Sequence, residues 1–171
     1  MKNGYIIDGD IATVILNKNK TVKIDIGDLE TIKSFDGNWI MNDSNPKRIE
    51  YAYGSSSNKM VLMHRLIMHP PSNKVVDHIN GDGLDNRRSN LRVVTQAQNL
   101  QNRTMNRNNS SGVSGIYFDK HHCKWVARLR RNGEIVYRKR FDSLRDAEIN
   151  IKIQRAKLLP FSKEAAQLDK A

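Results

Sequence analysis

Short runs of apolar and β-branched residues, each broken by Gly, Asp or Asn, set the pattern of the first third of the chain: Tyr5-Ile6-Ile7, Ala12-Thr13-Val14-Ile15-Leu16 and residues 21–26. In the last of these, Val22, Ile24 and Ile26 share one face and Lys23 and Asp25 the other, the period of two that a half-buried strand requires. Residues 38–41, 48–53 and 59–63 continue the series, and the polar stretch Gly54-Ser55-Ser56-Ser57-Asn58 reads as a turn between strands. These runs predict a small antiparallel sheet without obvious chemistry. Further on, residues 75–79 and 91–95 are two more short strands. Between them Asn80-Gly81-Asp82-Gly83 is dense in turn residues, and Gly81 and Gly83 can take positive φ. Thr95 with Gln98 three residues later is a capping-box pattern, so a helix should start there and carry Asn99 on or just past its first turn.

The last third has a different rhythm. Residues 115–119, 124–130 and 135–141 read as three strands, the last two joined at Asn132-Gly133, a strong hairpin signal. The middle strand puts Trp125, Ala127 and Leu129 on one face and Lys124, Val126, Arg128 and Arg130 on the other, with Trp125 assigned to the core. A helix follows from Ser143 to about Leu158, with Ala147, Ile151 and Leu158 near one stripe and Pro160 ending it. The fold class is therefore α+β. It divides into a β-rich region (residues 1–60), a strand-loop-strand-helix unit (61–105), a polar linker (106–112) and a three-stranded sheet with a helix (113–171).

Charge sharpens that division. The 171 residues carry 29 Lys+Arg against 18 Asp+Glu, a net of +11. Residues 112–171 hold 14 basic and 7 acidic side chains, and between Lys120 and Arg140 eight basic residues face one acid, Glu134. Such a balance points to a polyanionic partner. No apolar run approaches the roughly 20 residues of a membrane span, and Asp8 and Asp10 interrupt the N-terminal apolar stretch, unlike a signal peptide. The single Cys123 excludes an intramolecular disulfide and a multi-cysteine zinc site, consistent with a reduced, cytoplasmic setting.

The strand-loop-strand-helix unit is where reactive groups gather. Asp77 offers a hard carboxylate and Asn99 an amide oxygen, ligands suited to Mg²⁺ or Mn²⁺ with water and substrate phosphate. His78, with an ordinary pKa near ~6.5, can take a proton from water at neutral pH. Neighbours on a regular strand point to opposite faces, so Asp77 and His78 serve one site only if the strand end twists or bulges, or if they flank the phosphate. Asp82, Asp85 and Asn86 lack the regular spacing and terminal Glu of a calcium loop. His64 is assigned to the fold.

Asp77-His78, Asn90 and Asn99, together with His64-Arg65-Leu66-Ile67 and Asp85-Asn86-Arg87-Arg88-Ser89-Asn90-Leu91-Arg92, resemble the ββα-metal core of HNH endonucleases. The likeness is to the phage and intron-encoded homing branch in particular, in which the last His is often Asn. The resemblance implies that His78 is the general base, that Asp77 and Asn99 bind one divalent metal, and that Asn90 tethers the loop and so holds His78. Residues 115–141 and the following helix resemble the AP2 DNA-binding domain, which lays its sheet into the major groove. Together these imply a site-specific nuclease acting on double-stranded DNA, monomeric on it, in a bacterial or phage-infected cell. Expected DNA contacts are Arg87, Arg88, Arg92, Arg103, Lys124, Arg128, Arg130, Arg138 and Arg140. The alternative is a DNA-binding regulator that keeps the HNH frame without cutting.

Overall fold

Alternation decides the first sheet. In the computed structural model, β1 (Tyr5–Asp8), β2 (Ile11–Ile15) and β3 (Thr21–Asp25) form an antiparallel meander. Ala12, Val14, Val22 and Ile24 are fully buried, while Lys23 and its neighbours on the other face are not. At about 1.5–3 kcal/mol for each large aliphatic side chain taken out of water, this face is what fixes the sheet's register. The structure describes residues 1–41, 49–56, 59–102 and 111–168. They fall into two compact units, Met1–Gln96 and Ala97–Ala171.

The first unit continues with the helix α1 (Leu29–Lys33) and a second antiparallel sheet of β4 (Trp39–Met41), β5 (Ala52–Ser56) and β6 (Lys59–Leu62). Trp39 is fully buried and its indole N–H donates to the Ile32 carbonyl at 3.1 Å, so the largest core side chain has its polar atom satisfied. A short helix, α2 (Met63–Met68), follows, then the hairpin of β7 (Val75–His78) and β8 (Leu91–Val94). One apolar cluster runs from Ala12 to Leu91, so residues 1–60 and 61–96 build a common core.

Several expectations need correcting here. The polar stretch from Gly54 is not a turn from its start, because β5 extends through Ser56 and pairs with both β4 and β6. Gly54 belongs in that strand because the Phe35 ring lies where a Cβ would project. Gly81 does take positive φ (+79°), but Gly83 is needed for space, since a Cβ there would meet the Glu50 carbonyl and the Tyr51 ring. The helix expected after Thr95 does form, as the single turn α3 (Gln96–Asn99) that carries Asn99, followed by a 3₁₀ turn at Leu100–Asn102. Helices α1 and α2, unexpected from the chain pattern, are too short to show a helical period.

The second unit has a three-stranded antiparallel sheet, order β11-β10-β9, of β9 (Ile116–Asp119), β10 (Lys124–Arg131) and β11 (Glu134–Phe141). The helix α4 (Leu144–Leu158) packs on it through Ala147 and Ile151 against Ile116, Ala127 and Leu129, with Trp125 partly buried at the margin. Ser143 caps α4, its hydroxyl accepting from the Asp146 N–H at 3.0 Å. A last helix, α5 (Lys163–Leu168), is joined to α4 by the ion pair of Arg155 and Glu164 at 3.2 Å. Arg48, Arg103 and most of the expected linker lie outside the described residues. No described helix is long and apolar enough to cross a membrane.

Candidate functional site

The β7–β8 register runs without a bulge: Asp77 stands opposite Arg92, and His78 opposite Leu91. Asp77 and His78 therefore leave opposite faces of β7 at its C-terminal end. Both are buried, 6% and 4% exposed. Arg92 puts two hydrogen bonds on Asp77 Oδ2, from Nε at 2.8 Å and Nη2 at 2.6 Å, which gives the buried carboxylate a counter-charge.

His78 sits in a small aromatic cage. Its ring is edge-on to His64, centroids 5.0 Å apart at 89°, and Tyr51 packs against both imidazoles at 5.3 and 5.6 Å. His78 Nε2 is 2.8 Å from Asn86 Oδ1, an acceptor, so Nε2 carries the proton and the lone pair lies on Nδ1. Burial pushes the His78 pKa below its usual value, against the opposing pull of the Asn86 hydrogen bond and of Asp77, Asp82 and Asp85. The imidazole is thus neutral at physiological pH, the state a general base must start from. Burial, with help from His78 and Arg65, drives His64 down to about 3.

The loop between the strands is held at both ends by Asn90. Its side-chain Oδ1 accepts from the Asn80 N–H at 3.0 Å, Nδ2 donates to the Asp85 carbonyl at 2.8 Å, and its own carbonyl accepts from Ile79 N at 2.9 Å. The loop is also bound to the N-terminal sheet. Lys23 N donates to Leu84 O at 2.9 Å and Asn86 N to Lys23 O at 2.8 Å, so residues 84–86 lie along the open edge of β3. The Arg88 guanidinium grips the buried Asp28, with Nη2–Oδ1 at 2.7 Å, and Arg88 N donates to Asp25 Oδ2 at 2.7 Å. Arg87 forks onto Asp85 with two bonds of 2.7 Å, which holds that carboxyl below its usual range. The first region, which the sequence left without chemistry, is the wall against which Asn86 and hence His78 are set.

Sequence reasoning gave no role to Asn86, Tyr51, Asp25 or Asp28. Asn86 stood inside the Asp85-Asn86-Arg87 run, but nothing in its spacing marks it as the residue that fixes the His78 tautomer. Asn99 ends α3 and belongs to the second unit. Among the described residues no three His, Cys, Asp or Glu side chains gather into a cage for a metal ion. Asp77, buried and ion-paired with Arg92, offers a hard oxygen donor of the kind suited to a cation that keeps water and substrate phosphate in its shell.

In the second unit the strand pairing settles which way β11 faces. Tyr137, Lys139 and Phe141 stand opposite Leu129, Ala127 and Trp125, on the α4 side, whereas Arg138 and Arg140 stand opposite Arg128 and Val126. Tyr117 of β9 shares that second face, and the Arg128 guanidinium lies 5.2 Å from its ring centroid. A bulge after Leu129 shifts Arg130 opposite Ile135. Lys124 pairs with Asp142, and Arg140 approaches Asp119 at 3.7 Å. Among the described residues no carboxylate lies within ion-pair distance of Arg128, Arg130 or Arg138.

Residues 61–101 match the family model described as HNH endonuclease, a span from β6 into the 3₁₀ turn after α3 that includes Asp77, His78, Asn90 and Asn99. That match supports a nuclease, with nucleic acid as substrate. No curated protein and no solved structure matches the chain.

Proposed function

We propose that this chain is a site-specific, metal-dependent DNA endonuclease of the HNH homing type, with the three-stranded sheet of the second unit as an AP2-like DNA-binding module. The observation that carries the reading is the state of His78: buried, neutral, and held through Nε2 by Asn86, within the span that matches the endonuclease model. His78 takes a proton from water through Nδ1, and the resulting hydroxide attacks phosphorus. Asp77 and Asn99 would hold one Mg²⁺ or Mn²⁺, which would supply stabilisation of the charge on phosphorus and on the leaving 3′ oxygen. Asn90 and Asn86 keep the base in place, and Arg92 holds the Asp77 carboxylate. Lys124, Arg128, Arg130, Arg138 and Arg140 supply phosphate contacts, and arginine's fork suits guanine edges in the major groove. Arg87 and Arg88 are lesser contacts, with Arg103, outside the described residues, as a further one, and one copy acts on double-stranded DNA in a bacterial or phage-infected cytoplasm.

The test is a supercoiled plasmid pool carrying randomised inserts, incubated with protein in Mg²⁺ or in EDTA. Nicking or linearisation by wild type in Mg²⁺ alone, lost in His78→Ala, is the expected result. DNA binding without cleavage in either Mg²⁺ or Mn²⁺ would replace the nuclease with a DNA-binding regulator.

A further inference from the structure

Among the described residues of the first unit, two buried side-chain atoms have no hydrogen-bond partner: Nδ1 of His64 and Nδ2 of Asn86. Both belong to side chains that touch one ring. Asn86 meets His78 through Oδ1 at 2.8 Å, and His64 meets it edge-on at 5.0 Å between centroids. Folded interiors leave few such atoms, and each costs about 1–3 kcal/mol. Two of them beside the same imidazole mark a place where a polar molecule is expected and packing alone is not the purpose.

His64 is the more telling of the two. It lies in the first turn of α2, is 5% exposed, and packs against the Tyr51 and His78 rings. A Leu or Phe would fill that volume without stranding a nitrogen, so an imidazole here is a worse core residue than either. Its burial also keeps it uncharged, so it does not compete with His78 for a proton.

We propose that His64 positions the attacking water, with its Nδ1 lone pair accepting one water hydrogen while His78 Nδ1 accepts the other. A water donating to both imidazoles turns its oxygen lone pairs outward to phosphorus. His78 then removes one proton, the oxygen keeps the other, and the new P–O bond forms as the P–O3′ bond breaks. The 3′ oxygen is protonated from solvent, and His78 returns its proton to solvent. This assignment rests on the endonuclease reading above.

The full chain with His64→Leu and His64→Asn separates the possibilities, since the Asn amide oxygen reaches the position of Nδ1. His64→Leu should lower kcat by about 10²-fold, the scale of a misplaced reactant, with KM for DNA unchanged. Its unfolding midpoint in EDTA should equal or exceed wild type, because the stranded nitrogen is gone. His64→Asn should recover kcat to within about tenfold of wild type. Cleavage by His64→Leu within twofold of wild type, beside an inactive His78→Ala, would overturn the assignment and leave the nuclease standing. So would a His64→Leu that loses stability together with a His64→Asn no more active than it. A wild type that cuts nothing in the pool would take down both readings.

Discussion

In the first unit the guanidiniums of Arg87, Arg88 and Arg92 end on the carboxylates of Asp85, Asp28 and Asp77. In the second, Arg128 and Arg138 stand directly opposite each other on one sheet face, with Tyr117 and Arg140 beside them. Like charges across a strand pair cost stability, about 0.2–1 kcal/mol, so that face is arranged against the fold's own interest. The same residue type is thus structural where a carboxylate meets it and available where none does. A count of basic residues along the sequence cannot tell these cases apart, yet they predict different mutant behaviour.

The largest effect expected belongs to the first unit. His78→Ala should lower cleavage by ~10²–10⁴-fold, the usual range for a lost general base, while DNA affinity in a gel-shift or anisotropy titration stays unchanged. Next is the pH dependence of stability. His64 has a folded pKa of about 3 against an ordinary 6.5, so the unfolded chain binds the extra proton between these values. The contribution is present above pH 6.5 and is lost as pH falls toward 3, up to about 3–5 kcal/mol. Urea unfolding at pH 7 and pH 4 should show a drop of that order in wild type and a smaller one in His64→Leu. Equal drops in the two proteins would remove His64 as its source.

Two substitutions test the arginine comparison itself. Arg88→Ala strands a buried carboxylate on Asp28 and cuts the tie between the loop and α1, and should cost about 2 kcal/mol in denaturant unfolding, discounted because the arginine side chain is 55% exposed. Arg138→Ala, by contrast, should leave stability within about 0.5 kcal/mol of wild type or raise it slightly, while reducing the slope of log affinity against log salt by about 1. A destabilised Arg138→Ala with an unaltered salt slope would make the basic face structural and erase the contrast.

How much of this was legible in the sequence depends on the range over which each feature is decided. The period of two in residues 21–26, the Asn132-Gly133 hairpin and the Ser143-capped helix are local patterns, and all reappear in the fold at β3, β10–β11 and α4. The short helices α1 and α2 had no such signature, because five or six residues do not complete two turns. The strand through Gly54 was misread because composition favoured a turn, while pairing on two sides and the close Phe35 ring overruled it. Around the site, Asp77, His78 and Asn90 stood out by spacing and resemblance. Which side chains they touch did not, since Asn86, Tyr51 and His64 meet the His78 ring by folding and not by position in the chain.

By itself the sequence determined the strands that alternate, the cap and turn residues that bound them, the excess of positive charge in the last third, and the presence of a carboxylate, an imidazole and two amides at nuclease-like spacing. These depend on neighbours a few residues apart and on covalent order. Tertiary structure alone decided that the His78 imidazole is neutral with its lone pair on Nδ1, because that state is set by burial and by Asn86 held against β3. It also decided which arginines are taken by carboxylates, because charge pairing is a matter of distance in space, and Arg88 meets Asp28 across sixty residues of chain.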